Sequence, residues 1–468
     1  MIITKNDQKY IVDEDTGELI LSSTNTKQFD EREHRARSFY YLHEYRKYAY
    51  KKSLRLCHIT SLRNARQSQL APTSLSAIGE SSINRPFKEY KTNTGVSADS
   101  YDSGSAAFIF KGLESEKAHI GGVATCSSVW ACPICSQKIT TKRANILKSM
   151  TDQHSARGGY LYLVTLTVPH GQENSQKTHN LKDFLHDLTD SYRKLTSSRK
   201  YKEYKSKNLL GVVRSFEITY GDFHGWHPHF HLLLFSHNWL SYSEINTLYL
   251  DLWKFNLKKK GYFIDDDFDS ILVDVRGGKD ASMYVAKFGD TKSQWQMSDE
   301  ITKSNRKKAK MTSKGVRYTP FSLLHSWVES SYDTKQRNQK FLKLFQEYEK
   351  AFSGKNQLVI TKGLYSHFNI EEKSDSLLND EMTESSIQLA SLSFEDWSII
   401  SKNNLFSEVL TCAETGTLNQ FLASLCLLDL NPDISVFNLF SPNESKINRR
   451  RRIDYSLLDK SNDPIKSK

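Results

Sequence analysis

The hydrophobic pattern along this chain changes period several times, and each change marks an element. Tyr160 to Val168 is dense in β-branched and aromatic residues and stops at Pro169-His170-Gly171, which predicts a central strand. From Leu181 to Leu195 the apolar positions (Leu181, Phe184, Leu185, Leu188, Tyr192, Leu195) recur at helical spacing, and a basic connector, 196–208, follows. Leu209 to Tyr220 predicts a second strand. Gly221 to Trp226 predicts a loop of about six residues, and the apolar run after it a third strand, closing a hairpin. Residues 239–260 predict a helix carrying Leu240, Ile245, Leu248, Leu250, Leu252 and Trp253, and Ile271 to Val275 a short strand broken by Gly277-Gly278. Asp280 to Gly289 predicts a helix with Gly289 as its stop, and Thr319 opens another that runs to about Ser353.

Outside this alternating region the pattern is weaker. Residues 31–66 predict a helix crowded with Tyr40, Tyr41, Tyr45, Tyr48 and Tyr50 among Arg46, Lys47, Lys51, Lys52 and Arg55. Such a mixture suits a nucleic-acid surface, and equally an amphipathic helix with its tyrosines on the protein body. Residues 67–105 are rich in Ser, Gly, Asn and Thr and read as a linker. The chain therefore divides into a polar and basic N-terminal region (1–105), a Cys-rich segment (106–155), the alternating domain (156–330) and a C-terminal extension (331–468), mainly helical or partly disordered.

Composition sharpens this picture. Lys and Arg total 65 against 54 Asp and Glu, and the basic balance points to a polyanionic partner, most often nucleic acid. No N-terminal apolar segment and no run of about 18 apolar residues appears, so neither secretion nor a membrane is expected, and the expected location is the cytoplasm. Six cysteines in 468 residues do not make a disulfide scaffold, and three of them cluster.

Three constellations carry chemistry. The first is His227-Pro228-His229-Phe230-His231, which leads into the third strand. Alternation puts His227, His229 and His231 on one face and Phe230, Leu232 and Leu234 on the other, and imidazoles on one face can hold a divalent metal. Glu217, in the partner strand, is a further ligand candidate. A strict six-residue loop pairs Tyr220 with His227 and sets Glu217 opposite Phe230, on the wrong face; one bulge or a one-residue change in loop length corrects this. The third ligand is thus either Glu217 or His227. The second constellation is Cys126, Cys132 and Cys135, a knuckle with a third thiol six residues upstream, suited to structural Zn²⁺. Cys57 is preferred as the fourth ligand over His119. The third is Asp280, Tyr284 and Lys287, at i, i+4 and i+7 on one helix face: a possible base, nucleophile and cation, although Asp280 also reads as a helix cap. Lys307, Lys308, Lys310 and Arg317 lie in a basic stretch, 301–320, suited to gripping a phosphate backbone.

Together these blocks resemble the rolling-circle plasmid replication initiators of the His-hydrophobic-His endonuclease superfamily. The resemblance rests on the Cys126–Cys135 block, Leu163 to His170, Glu217 to Tyr220 followed by Trp226 to His231, and Tyr284-Val285-Ala286-Lys287, with Thr319 to Leu324 matching a stretch that commonly follows. It covers roughly residues 55 to 330. It implies an α+β fold with a central antiparallel sheet of about five strands, helices on its faces and a ferredoxin-like or RNA-recognition-like topology. It also implies a catalytic Mg²⁺ or Mn²⁺ and a Tyr284 nucleophile that nicks the plasmid origin, leaving a 5′-phosphotyrosine and a 3′-OH primer. Lys287 would stabilise negative charge, and Asp280 would activate water for release. The partners implied are origin DNA and a host DNA polymerase. With no G-x-x-x-x-G-K-[ST] loop in the chain, a host helicase would have to unwind the strands. Two other readings predict different behaviour: a zinc-containing, non-catalytic DNA-binding regulator, in which Tyr284 is dispensable, and a relaxase or transposase of the same superfamily. Relaxases usually carry their tyrosine before the His motif, whereas here it follows.

Overall fold

The computed structural model of the chain describes residues 2–5, 8–12, 19–21, 24–59, 105–169, 180–264, 269–277, 310–312, 315–334, 338–380, 386–415 and 439–440. The chain forms two compact units, Met1–Cys126 with Asp380–Lys468, and Ser127–Asn379. This spatial division differs from the four segments read from composition. Residues 331–379 belong with the alternating region, and the chain after 380 belongs with the N-terminal residues.

In the first unit a four-stranded antiparallel sheet runs in the order Leu439–Phe440, Ser386–Ser393, Ser105–Gly112, Ala118–Gly121. The N-terminal helix spans Thr24–Tyr45, starting earlier than its sequence pattern predicts, and a 3₁₀ turn and a short helix, Lys52–Leu56, follow it. Its tyrosines face inward more than outward: Tyr41 and Tyr45 are buried and Tyr40 half-buried, while Tyr50, beyond the helix, is exposed. The helix is tied to the helix Phe406–Thr415 by a Phe39–Phe406 stack at 4.9 Å and by Arg35 pairing with Glu414. The predicted linker at 67–105 lies, except for its last residue, outside the described residues.

The second unit is built on an antiparallel sheet. Its strands are β1 (Tyr160–Thr167), β2 (Leu209–Gly221), β3 (Gly225–Ser236), β4 (Val273–Gly277), β5 (Lys310–Thr312), β6 (Gly315–Tyr318) and β7 (Leu358–Ile360). They run in the order β5-β6-β2-β3-β1-β4, with β7 also pairing β2. The α+β class with an antiparallel sheet therefore matches the sequence reading. Helices α1 (Pro133–Ala156), α2 (Leu181–Ser197), α3 (Arg199–Asn208), α4 (Tyr242–Lys259), α5 (Asp269–Leu272), α6 (Pro320–Thr334), α7 (Gln339–Phe352) and α8 (Leu364–His367) belong to this unit.

Three local expectations are corrected. The basic connector at 196–208 is mostly the helix α3, because the Ser198 hydroxyl caps it by accepting from the Tyr201 amide and its lysines are good helix formers. The predicted strand at Ile271 starts two residues later, after the turn α5. The long helix from Thr319 is two, α6 and α7, the second started by an Asn338 cap. Within the C-terminal extension, β7 pairs with the central strand β2.

The two faces of the sheet differ. One carries Tyr162, Val164 and Leu166 of β1, Phe216 and Ile218 of β2, and Phe230, Leu232 and Leu234 of β3, all buried. Against it Tyr192 of α2 lies 5.2 Å from the Phe230 ring, Phe352 of α7 lies 5.6 Å from Phe216, and the Trp253 indole of α4 donates to the Thr167 carbonyl at 2.8 Å. The other face is split along the strands. Its first half, Leu161, Leu163, Val213, Leu233 and Phe235, forms a core with Leu147 and Met150 of α1 and with Leu364 and Phe368. Each such side chain contributes roughly 1.5–3 kcal/mol on burial. The second half turns polar: Thr165, Thr167, Ser215, Glu217, Thr219, His227, His229 and His231.

Candidate metal centre

That polar half is fixed by the register of the β2–β3 hairpin. The turn contains Asp222, Phe223 and His224, three residues and not six, between paired Gly221 and Gly225. Gly225 takes φ +72°, a left-handed conformation that glycine adopts without strain. This length places Glu217 directly opposite His229, with Ser215 opposite His231 and Thr219 opposite His227. The parity problem of a six-residue loop disappears, and no bulge is needed at Glu217.

Glu217, His229 and His231 form a group able to hold a metal ion, their ligand atoms all within 4.8 Å of one another. Glu217 Oε2 lies 2.8 Å from His231 Nε2 and 3.4 Å from His229 Nε2. The far ring nitrogens are also oriented: His231 Nδ1 meets the Thr165 hydroxyl at 3.1 Å, and His229 Nδ1 faces the His227 carbonyl at 3.4 Å. Occupied Nδ1 atoms turn both Nε2 atoms toward the carboxylate, as the outer partners of metal-binding histidines do. Burial alone would raise the Glu217 carboxyl, but the charge and hydrogen bonds of His229 and His231 outweigh it and hold it well below the usual carboxylate range. It therefore stands ready as an anion. Two imidazoles, each neutral once it binds a metal, and one carboxylate are a donor set suited to divalent ions.

Of the two candidates for third ligand, Glu217 joins this group. His227 sits two residues before His229 with ring centroids 5.0 Å apart, outside the group. Thr165 was not singled out from the sequence, although its signal was there: alternation along β1 puts Thr165 and Thr167 on one face of an otherwise apolar strand.

The cysteines are a second candidate set, with Cys57 and Cys126 in the first unit and Cys132 and Cys135 in the second. His119 instead stacks on Phe110 at 5.2 Å. Cys132 caps α1, its Sγ accepting from the Cys135 amide at 3.4 Å with Pro133 in the first turn, and Cys57 Sγ accepts from the Cys126 amide at 3.3 Å. Amides aimed at sulfur favour thiolates, the form that binds metal. Asp280, Tyr284, Lys287, Lys307 and Lys308 lie outside the described residues. Lys310 opens β5, and Arg317 is exposed on β6.

The profile of the replication protein family matches residues 118–404, an interval that takes in the His strand, Glu217 and three of the four cysteines. The chain belongs to that family. The plasmid rolling-circle initiators that the sequence blocks resemble are thus the right kin. Among curated relatives of this replication protein is a "Protein rep" of Streptomyces lividans, 24% identical over 250 residues that cover 43% of this chain and 53% of that protein. A "Protein rep" of Lactiplantibacillus plantarum is 36% identical over 139 residues, covering 27% of this chain and 40% of that protein. A "Neomycin resistance protein" of Streptomyces cyanogenus is 25% identical over 142 residues, 24% of this chain and 30% of that protein. The chain thus spans about half or less of the length of these relatives. No solved structure matches it. Among the described residues, no helix is long and apolar enough to cross a membrane.

Proposed function

We propose that this replication protein starts rolling-circle replication of a plasmid by nicking one strand of the origin, and that the sheet of its second unit is a His-hydrophobic-His nuclease core. The observation that supports this most directly is the convergence of Glu217, His229 and His231, in a member of the replication protein family. A hard ion such as Mg²⁺ or Mn²⁺ held by these groups would polarise a scissile phosphate oxygen; Zn²⁺ also suits the donors. The chain's own residues do the rest. Thr165 and the His227 carbonyl keep both imidazoles pointed at the site. The Tyr284 oxygen bonds to phosphorus as the bond to the 3′ oxygen breaks, leaving a 5′-phosphotyrosine and a 3′-OH that primes synthesis. A phenol titrates near pH 10 when unperturbed, so this step needs the negative charge stabilised, a role for Lys287. Asp280 activates water for hydrolytic release at the end of a round. Lys307, Lys308, Lys310 and Arg317 grip the DNA backbone. Cys126, Cys132 and Cys135, with Cys57 as the fourth ligand, would hold Zn²⁺ as a structural ion. Host helicase and polymerase complete the reaction, in the cytoplasm.

The test is a nicking assay on supercoiled plasmid carrying the cognate origin, with and without Mg²⁺. Open circles whose 5′ end is bound to protein are expected only with metal. Full activity in His229→Ala, or no nicking by the wild-type chain, would overturn the reading.

A further inference from the structure

The hairpin that carries the metal group ends in an unusual surface residue. Phe223, at the centre of the three-residue turn, is 69% exposed, the highest value among the exposed large hydrophobics of the described residues. It is not on a loose loop. The Asp222 amide donates to the Val316 carbonyl at 3.4 Å, and the Asp222 carboxylate pairs with Lys340 Nζ at 3.0 Å. Lys340 also lies over the Tyr220 ring at 5.7 Å, and the His224 ring meets Phe223 edge-on at 4.9 Å. The turn is therefore anchored to β6 and α7 while its aromatic ring faces water.

The neighbouring charge matches a nucleic acid. Arg317 on β6 is paired in register with Gly221, the last residue of β2. Gly221 is four residues from Glu217, so Arg317 shares the sheet face of Glu217, displaced about 13 Å along the strand. Arg317 is exposed and pairs with no carboxylate among the described residues. Lys310 occupies the next register position outward. Asp222, the acid in the turn, is neutralised by Lys340. From the metal group toward the hairpin tip, this face of the sheet thus offers a cation, and the turn beyond it a bare aromatic ring.

We infer that the β2–β3 hairpin tip is a docking platform for single-stranded DNA, with Phe223 stacking on a base and Arg317 contacting a backbone phosphate. This rests on the nuclease reading above for its biological sense, and it makes Phe223 a positioning residue that registers the strand relative to the metal group. Stacking suits a single strand, whose bases are free to splay onto a ring, and not a closed duplex.

The test measures binding without cleavage. A fluorescein-labelled oligothymidylate of about twenty nucleotides is titrated with the full chain by anisotropy, in buffer without added divalent ions. Phe223→Ala should weaken binding by about 5- to 100-fold, as loss of one base stack does. Phe223→Trp should bind like wild type, and Arg317→Ala should reduce the salt dependence by about 0.7 in the log–log slope. All three variants should melt like wild type, because the residues are exposed. Binding of Phe223→Ala within about twofold of wild type, no oligothymidylate binding by the wild-type chain, or an equal loss on duplex DNA would each overturn the inference. If the wild-type chain fails to nick its origin while Phe223→Ala still loses affinity, the nuclease reading falls and the platform stands.

Discussion

Glu217 and His231 come from different strands, and yet Glu217 Oε2 and His231 Nε2 lie 2.8 Å apart, buried on the polar half of one sheet face. His229 and this contact together hold the carboxyl well below its usual range against the effect of burial, and the contact fixes the ring edge that would meet a metal. Glu217→Gln keeps the shape and removes the charge, so Mn²⁺ affinity and metal-dependent nicking should both fall sharply while folding persists. Thr165→Val removes only the hydroxyl that orients His231 and should weaken metal binding by about 10- to 100-fold. Mn²⁺ titration followed by electron paramagnetic resonance checks both; wild-type affinity in Glu217→Gln would remove it from the site.

The thiol group should be a structural centre. Metal analysis should find about one tightly bound zinc per chain. Cys132→Ser should lose that zinc and lower the melting temperature, because Cys132 would be a ligand and also caps α1. A zinc-free preparation that melts like wild type would refute the assignment.

Tyr284→Phe keeps the ring and removes the nucleophilic oxygen, so origin binding should persist and covalent attachment to the 5′ end vanish. Asp280→Asn should still nick but release slowly, so adducts accumulate. Peptide mapping of the adduct checks the first; linkage to another tyrosine would refute it. A termination assay checks the second, with wild-type release favouring a mere helix cap, a role asparagine also fills.

Gly277 ends β4 and is paired with Tyr162 of β1. It takes φ +127°, and a Cβ there would come within 2.4 Å of the Leu161 carbonyl oxygen. Gly277→Ala should destabilise the second unit by at least about 1–3 kcal/mol from backbone strain alone. Urea denaturation measures it.

Acid should weaken a network between α2 and the end of α4. Lys260, then Arg193 and Lys194, hold the Asp190 carboxyl below its usual range, and Asp190 in turn raises Lys260. A depressed carboxyl contributes stability that is complete above its unfolded value and is lost as the pH falls through the folded one. Asp190→Asn should therefore be less stable than wild type at pH 7, with the difference narrowing below about pH 4. Urea midpoints across that range test it; a constant difference would mean that the pair contributes no linkage.

Much of the second unit was legible because its signals are local. Tyr160–Thr167 alternates on a dense β-branched run, and α2 shows its apolar stripe at helical spacing. The His strand announced both of its faces. What sequence left open was long-range. Whether Glu217 or His227 completes the donor set depends on the number of residues in the turn, and that is set by the pairing of Gly221 with Gly225. Cys57 lies 69 residues before Cys126, and no local pattern links them. The pairing of β7 with β2 was invisible for the same reason: three residues carry too little pattern to declare a partner. Charge misled at α3, where a run of lysines reads as solvated loop although lysine is a good helix former.

The turn Asp222–His224 also constrains how this protein can vary over time. Its residues can be exchanged with small effect on the strands, but its length obeys an odd–even rule. One residue added or removed would bring a residue of the wrong parity opposite Glu217 and turn the imidazoles away from it, whereas two would keep all of them on one face. Surface loops are ordinarily where insertions and deletions collect. Here a single-residue insertion at the most exposed point of the hairpin should be as damaging as losing a ligand, so natural variants should keep the length of this turn as strictly as they keep the ligands.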